Sequence, residues 1–171
     1  GETYQVDISS ADVRQELESF LPTAFGFLDE RIIKILTPSI CLNKLEIDLE
    51  DYSAFVFPAL RGLEGYIRAL LKIKGKSNGV RNVNKLGSLF EDCDDYQQCL
   101  QKFAKDEIAC VKTCKAIESA YSLYVSKRHA LFHVSTQIQT TPIIWTKGAA
   151  EALVVDVLKT IEESYSQIVQ L

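Results

Sequence analysis

The segment EIACVKTCKAIESAYSLYVSKRHALFH, Glu107 to His133, decides the fold. Ile108, Val111, Cys114, Ile117, Ala120, Tyr121, Tyr124 and Val125 recur within it at three- and four-residue intervals, the period of a long α-helix with one buried stripe. The segment closes on Lys127-Arg128-His129-Ala130-Leu131-Phe132-His133, where both of the chain's histidines fall beside an arginine. Guanidinium binds phosphate, and imidazole is the side chain best suited to proton transfer near neutral pH. The helix that sets the architecture therefore also ends in a chemical tool.

Composition narrows the setting. A chain of 171 residues, 47% hydrophobic and 25% charged, is long enough for one domain with a real core, or two small ones. Glycine (8) and proline (4) are sparse, which favours helices over a turn-rich β fold. No apolar run approaches the roughly 20 residues of a membrane span, and the opening Gly1-Glu2-Thr3-Tyr4-Gln5 is not a signal peptide. A chain that starts on glycine and contains no methionine reads as a domain cut from a longer protein. On that reading residues 1–8 are a linker or cleavage scar and 9–171 a single helical domain. The five cysteines are odd in number and lack Cys-x-x-Cys spacing. Cys110 and Cys114 lie one helical turn apart and are expected as small core residues in a reducing cytosol, so a cytoplasmic location is expected. A net charge of −4 argues against a general nucleic-acid coat but allows a local basic site.

Outward from the long helix, the pattern is helical nearly throughout. Ser9 with Asp12 three residues on predicts a capped start, Val13, Leu17, Phe20 and Leu21 follow at helical spacing, and Pro22 closes that element. A second helix is expected over Phe25–Leu36, ending before Pro38, with a connector over 38–47 extended around Ile40–Leu42. A third runs from about Glu50 to Lys74, kinked at Pro58, with Gly62 and Gly65 suggesting close packing against another backbone. Gly75–Gly79 reads as a loop. The acidic cluster Glu91–Asp95 is expected to cap a helix beginning near Tyr96, with a break at Lys105-Asp106 before the long helix. Residues 134–146 read as a short hairpin or extended loop. A last helix begins near Gly148 and faces Leu153, Val154, Val157, Leu158, Ile161 and Tyr165 inward. The expected fold class is all-α, an antiparallel helical bundle.

Three constellations carry chemistry. On the third helix, Asp51, Arg61, Glu64 and Arg68 are spaced so that Arg61 can pair with Glu64; a surface salt-bridge ladder is the plain alternative. An arginine set in Phe57-Pro58-Ala59-Leu60-Arg61-Gly62-Leu63 is nevertheless an uncomfortable surface residue. On the long helix, Arg128 and His133 are separated by about 140° on a straight helix, and share a face only if the last turn is bent or frayed. Cations at a helix C-terminus are favoured by the dipole in any case. A metal at His129 and His133 lacks the glutamate of the zinc-peptidase pattern, since Ala130 stands there, so no metal or other cofactor is expected. Finally, no acidic residue occurs from Gly65 to Phe90, whereas Arg68, Lys72, Lys74, Lys76, Arg81 and Lys85 are basic. Such a strip suits a polyanion backbone, or is a solvated loop.

With these residues in view the chain resembles a family. Arg128-x4-His133 at the end of a long helix is similar to the Arg-x(4–6)-His signature of the HEPN superfamily of helical-bundle ribonucleases. The stretch Asp51 to Tyr66 resembles the C-terminal HEPN domain of the RnlA (RNase LS) toxin family. The resemblance covers about residues 10 to 165 and implies an HEPN-type bundle. It implies a metal-independent endoribonuclease of a toxin–antitoxin system, with RNA as substrate, a composite site in a homodimer, and a cognate antitoxin as partner. The catalytic set it implies is Asp51, Arg61, Glu64, Arg128 and His133, with Asp51 positioning an arginine or histidine and Glu64 orienting Arg61 or sharing in proton transfer. Arg68, Lys72, Lys127 and His129 are assigned to RNA binding. The rival is a catalytically idle HEPN module that serves RNA binding, dimerisation or antitoxin docking; such a module more often lacks the arginine or the histidine. A substrate or scaffold role would need a tyrosine near the histidine, and Tyr121 and Tyr124 fit the buried stripe instead. The isolated domain is allowed to be inactive without the amino-terminal region or the correct dimer.

Overall fold

Ser9 opens the bundle as expected: its hydroxyl accepts the Asp12 N–H at 3.1 Å and starts helix α1, Ser10–Phe20. The structure, a computed structural model, describes residues 8–170, so the expected linker over 1–8 lies almost entirely outside the described residues. After Pro22 the chain turns rather than continuing as a helix. Glu162 holds that turn, accepting the Thr23 and Ala24 N–H groups at 2.8 and 2.9 Å. Burial pushes the Glu162 carboxyl up, but these bonds outweigh it and leave the group below the ordinary carboxylate range.

Helix α2, Glu30–Leu42, runs through Pro38 instead of ending before it. A proline there cannot donate to the Lys34 carbonyl, and Thr37 Oγ1 supplies the missing bond to that oxygen at 3.1 Å. The expected extended connector around Ile40–Leu42 is accordingly the last turn of α2. Helix α3, Phe57–Lys74, starts later than expected, after a 3-10 turn at Ser53–Phe55. Pro58 thus falls in the first turn, where no intrahelical N–H is required, and makes no kink.

Helix α3 is the axis of the bundle, packed against α2, α6 (Val111–Phe132) and α7 (Lys147–Val169). Leu60, Leu63, Ile67 and Leu71 are buried on one side and Tyr66 on another. The Tyr66 hydroxyl shares a 2.8 Å hydrogen bond with Ser164 Oγ of α7, and Phe27 sits edge-on to its ring while stacking on Tyr165. Gly62 and Gly65 admit side chains of α2 rather than its backbone. A Cβ at 62 would lie 2.1 Å from Leu36 Cδ2, and one at 65 would lie 3.1 Å from Ile32 Cγ1.

The stretch after α3 departs most from expectation. A short helix α4, Asn78–Arg81, interrupts the basic loop, and a 3-10 turn covers Leu86–Leu89. Then β1, Phe90–Asp92, pairs antiparallel with β2, Gln98–Leu100, Phe90 opposite Leu100. The acidic cluster is therefore part of a hairpin and caps no helix near Tyr96. Asp95 and Tyr96 turn the chain with φ of 62° and 59°, and Cys93 and Cys99 form a disulfide across the turn, a pairing that the reading of the cysteines in a reducing cytosol did not anticipate. Side chains of α6 fix the hairpin: Ser122 Oγ accepts the Gln98 N–H at 3.0 Å and Glu118 Oε2 the Leu100 N–H at 2.9 Å. Helix α5, Lys102–Ile108, breaks from α6 at Ala109, left-handed at φ 54°, three residues beyond the expected break. Cys41, Cys110 and Cys114 are free, with Cys114 buried as expected and Cys110 half-buried. Residues 134–146 are extended around a 3-10 turn at Ile138–Thr140 and form no strand. The all-α class stands, with the one small sheet at 90–100 rather than at 134–146. No helix of the described residues is long and apolar enough to cross a membrane.

Candidate functional site

Two side-chain contacts fasten α3 to α6 and fix their antiparallel register. At the open end, Phe57 packs on Phe132 with ring centroids 4.5 Å apart. Farther in, the Tyr124 hydroxyl donates to Glu64 Oε2 at 2.9 Å. Arg61 follows Phe57 by one turn and Arg128 precedes Phe132 by one turn, so the two arginines occupy facing positions between the fasteners. Both are exposed and neither is ion-paired among the described residues. The Arg128 guanidinium carbon lies 6.0 Å from the Tyr124 ring centroid, a cation–π distance.

His133 is the first residue beyond α6, with extended backbone at φ −110° and ψ 130°. The His129 and His133 rings stay close, with centroids 5.3 Å apart, and both are exposed. His129 directly follows Arg128 on α6 and His133 caps that helix, so both imidazoles belong to the helix end that carries Arg128. Among the described residues no three His, Cys, Asp or Glu side chains converge into a metal-binding group.

Glu64 does not pair with Arg61. Its Oε1 accepts from Arg68 Nε at 3.1 Å, the i,i+4 arrangement with the acid on the N-terminal side that helices favour. Arg68 is tied further: its Nη1 donates to the Val83 carbonyl at 2.6 Å and its Nη2 to that of Asn84 at 3.1 Å. An arginine expected to meet RNA is thereby directed into the protein, where it docks the basic loop on α3. Glu107 holds the other end of that loop, accepting from the Lys76 and Ser77 backbone and from Ser77 Oγ. Lys72, Lys74, Lys76, Arg81 and Lys85 stay exposed along this strip, and Lys127 is half-buried on α6.

Asp51 touches no arginine or histidine. Its Oδ1 accepts from Ser53 N, Ser53 Oγ and Ile144 N at 3.0, 2.6 and 3.1 Å. It therefore ties the segment before α3 to the segment after His133, and the Tyr52 N–H bonded to the Ile144 carbonyl at 2.9 Å completes the tie. Tyr124 was missed as a site residue because its spacing put it in the buried stripe. Its lying one turn before Arg128 was the signal that it also reaches the basic cluster. Burial, then the hydrogen bond to Glu64 and its charge, push the Tyr124 hydroxyl up to about 12, with Arg128 pulling the other way. It remains a protonated donor across the physiological range.

Known proteins share this arrangement of elements. A family model described as RNase LS, bacterial toxin DBD domain, matches residues 9–135. The mRNA endoribonuclease LsoA of Escherichia coli O157:H7 is 31% identical over 144 residues, covering 82% of this chain and 39% of that protein. The mRNA endoribonuclease toxin LS of Escherichia coli strain K12 is 25% identical over 131 residues, covering 77% and 36%. The crystal structure of Escherichia coli toxin LsoA in complex with the T4 phage antitoxin Dmd superposes with a TM-score of 0.83 at 26% identity, covering 95% of this chain and 62% of that one. The chain thus spans under two-fifths of the length of these two curated relatives. With the fold and the matched span in agreement, the chain belongs to the family of RNase LS bacterial toxin DBD domains.

Proposed function

We propose that the α3–α6 seam is an HEPN-type, metal-independent endoribonuclease site, and that the chain is the site-bearing domain of a cytoplasmic toxin. The reading is carried by one observation: Arg61 and Arg128 stand at facing register positions of α3 and α6, between the Phe57–Phe132 and Glu64–Tyr124 contacts, and His133 ends α6 one turn past His129. RNA brings its own nucleophile. His133 takes the proton of a 2′-OH as that oxygen bonds to the adjacent phosphorus, and the bond to the 5′-oxygen breaks. The departing 5′-oxygen takes up a proton from solvent, leaving a 2′,3′-cyclic phosphate. Arg61 and Arg128 stabilise the charge that grows on the phosphoryl oxygens. His129, Lys127, Lys72 and the basic strip hold the flanking backbone. Asp51 and Glu64 act as positioning residues in this scheme, given the bonds they make.

Partners follow from the same end of the molecule. Val134, Ile138 and Trp145 are 72%, 73% and 74% exposed just beyond His133, and Phe132 is half-exposed. Exposed apolar side chains at the end of α6 and in the segment that follows it suit a protein partner. The reading assigns them to a homodimer with a composite site and to a cognate antitoxin; LsoA, similar in structure, is bound by an antitoxin.

The test is RNA cleavage by the full-length protein in EDTA, wild type against His133→Ala and Arg61→Ala. Loss of about a hundredfold or more is expected for each variant, and undiminished cleavage by wild type in EDTA. A His133→Ala protein that cuts at the wild-type rate overturns the assignment, and abolition by EDTA overturns metal independence. Sedimentation of the same protein reads the dimer, and added antitoxin should suppress cleavage.

A further inference from the structure

We propose that Tyr124 is a positioning residue of this site, joining Glu64 on α3 to Arg128 on α6, an inference that rests on the ribonuclease reading above. Both carboxylate oxygens of Glu64 are engaged, Oε1 by Arg68 Nε at 3.1 Å and Oε2 by the Tyr124 hydroxyl at 2.9 Å. Arg68 is anchored in turn on the carbonyls of Val83 and Asn84. A continuous line of hydrogen bonds therefore runs from the backbone of the basic loop through Arg68 and Glu64 to Tyr124. Tyr124 is its terminus on α6.

The phenol ring then carries the line to the reacting end. It lies under Arg128, with the guanidinium carbon 6.0 Å from its centroid. Seated on a ring face, a guanidinium keeps its N–H edges pointing away from the ring, toward the position a phosphate would take. Donation of the O–H to a carboxylate enriches the ring in electrons, which strengthens its hold on the cation above. The proton of the hydroxyl is spent on Glu64, so it is not the donor that meets the phosphate. Tyr124 acts through its two neighbours.

Two substitutions separate its parts. Tyr124→Phe keeps the ring under Arg128 and removes the bond to Glu64; Tyr124→Leu removes both. In the full-length protein, Tyr124→Phe should lower kcat by about tenfold with KM for RNA unchanged, and Tyr124→Leu should also raise KM as Arg128 loses its seat. Because the hydroxyl works through the carboxylate, Tyr124→Phe should cost nothing further in a Glu64→Ala background, where no acceptor for the hydroxyl remains. Thermal melts within a few degrees of wild type for Tyr124→Phe identify the loss as local. Tyr124→Phe cutting at the wild-type rate, or losing the same factor with Glu64 absent as with it present, overturns the proposal. If His133→Ala is dead while Tyr124→Phe is fully active, only this inference falls; if His133→Ala is fully active, the ribonuclease reading falls and takes this inference with it.

Discussion

Asp51 and Glu64 carry the same functional group to opposite ends of one problem. Glu64 spans two helices, whereas Asp51 closes backbone turns, and the difference lies in which donors the fold brings within reach. Burial pushes the Asp51 carboxyl up, but the Ser53 hydroxyl, the Ser53 N–H and the Ile144 N–H outweigh it and hold it below its ordinary value. A carboxyl lowered on folding contributes stability above its unfolded pKa, and that contribution is lost as pH falls through the folded value. Asp51→Asn should therefore destabilise by about 1 kcal/mol at neutral pH, a modest figure because the residue is exposed. In urea melts the gap between the two proteins should close at pH values below about 4. A gap that is unchanged at acid pH would mean the charge is not what binds Ile144. Sequence named Asp51, Arg61 and Glu64 together, yet the pairing it anticipated was wrong, because i,i+3 and i,i+4 neighbours are both in reach and only the loop carbonyls above Arg68 decide between them.

Among the elements, α3 shows how a single atom sets a helix–helix distance. Ala at 62 would place its Cβ 2.1 Å from Leu36 Cδ2 in the core, whereas Ala at 65 needs Ile32 to yield by only tenths of an ångström. Helix propensity favours alanine at both by about 1 kcal/mol. Gly62→Ala should still lose about 1–2 kcal/mol net to overpacking, and Gly65→Ala should be neutral or slightly stabilising in denaturant melts. Equal effects would mean that α2 shifts freely. Helices α1, α3, α6 and α7 were legible because long apolar stripes announce themselves. The hairpin at 90–100 was not: strands of three residues carry no alternation, and what holds them, Glu118 and Ser122, belongs to another element. Pro38 misled for a similar reason, since its tolerance depends on the Thr37 hydroxyl.

Taken as a whole molecule, the bundle makes two distant stretches of chain adjacent where α3 packs on α6. The sequence supplied Arg61 and Arg128 but not their juxtaposition, which arises from the register set by Phe57–Phe132 and Glu64–Tyr124. Those fasteners have a cost. Two unpaired cations on facing positions of helices whose axes pack about 8–10 Å apart repel by roughly 1 kcal/mol at low salt. The seam is thus under electrostatic load, which a bound anion would relieve. At low ionic strength Arg61→Ala should melt a few degrees above wild type although it has lost a functional group. Inorganic phosphate should raise the wild-type melting temperature more than that of the variant, and the contrast should fade as salt screens the pair. If Arg61→Ala melts no higher and responds equally to phosphate, the two guanidiniums are not in each other's field. Otherwise thermal stability alone, with no RNA and no cleavage assay, reports whether the seam is occupied.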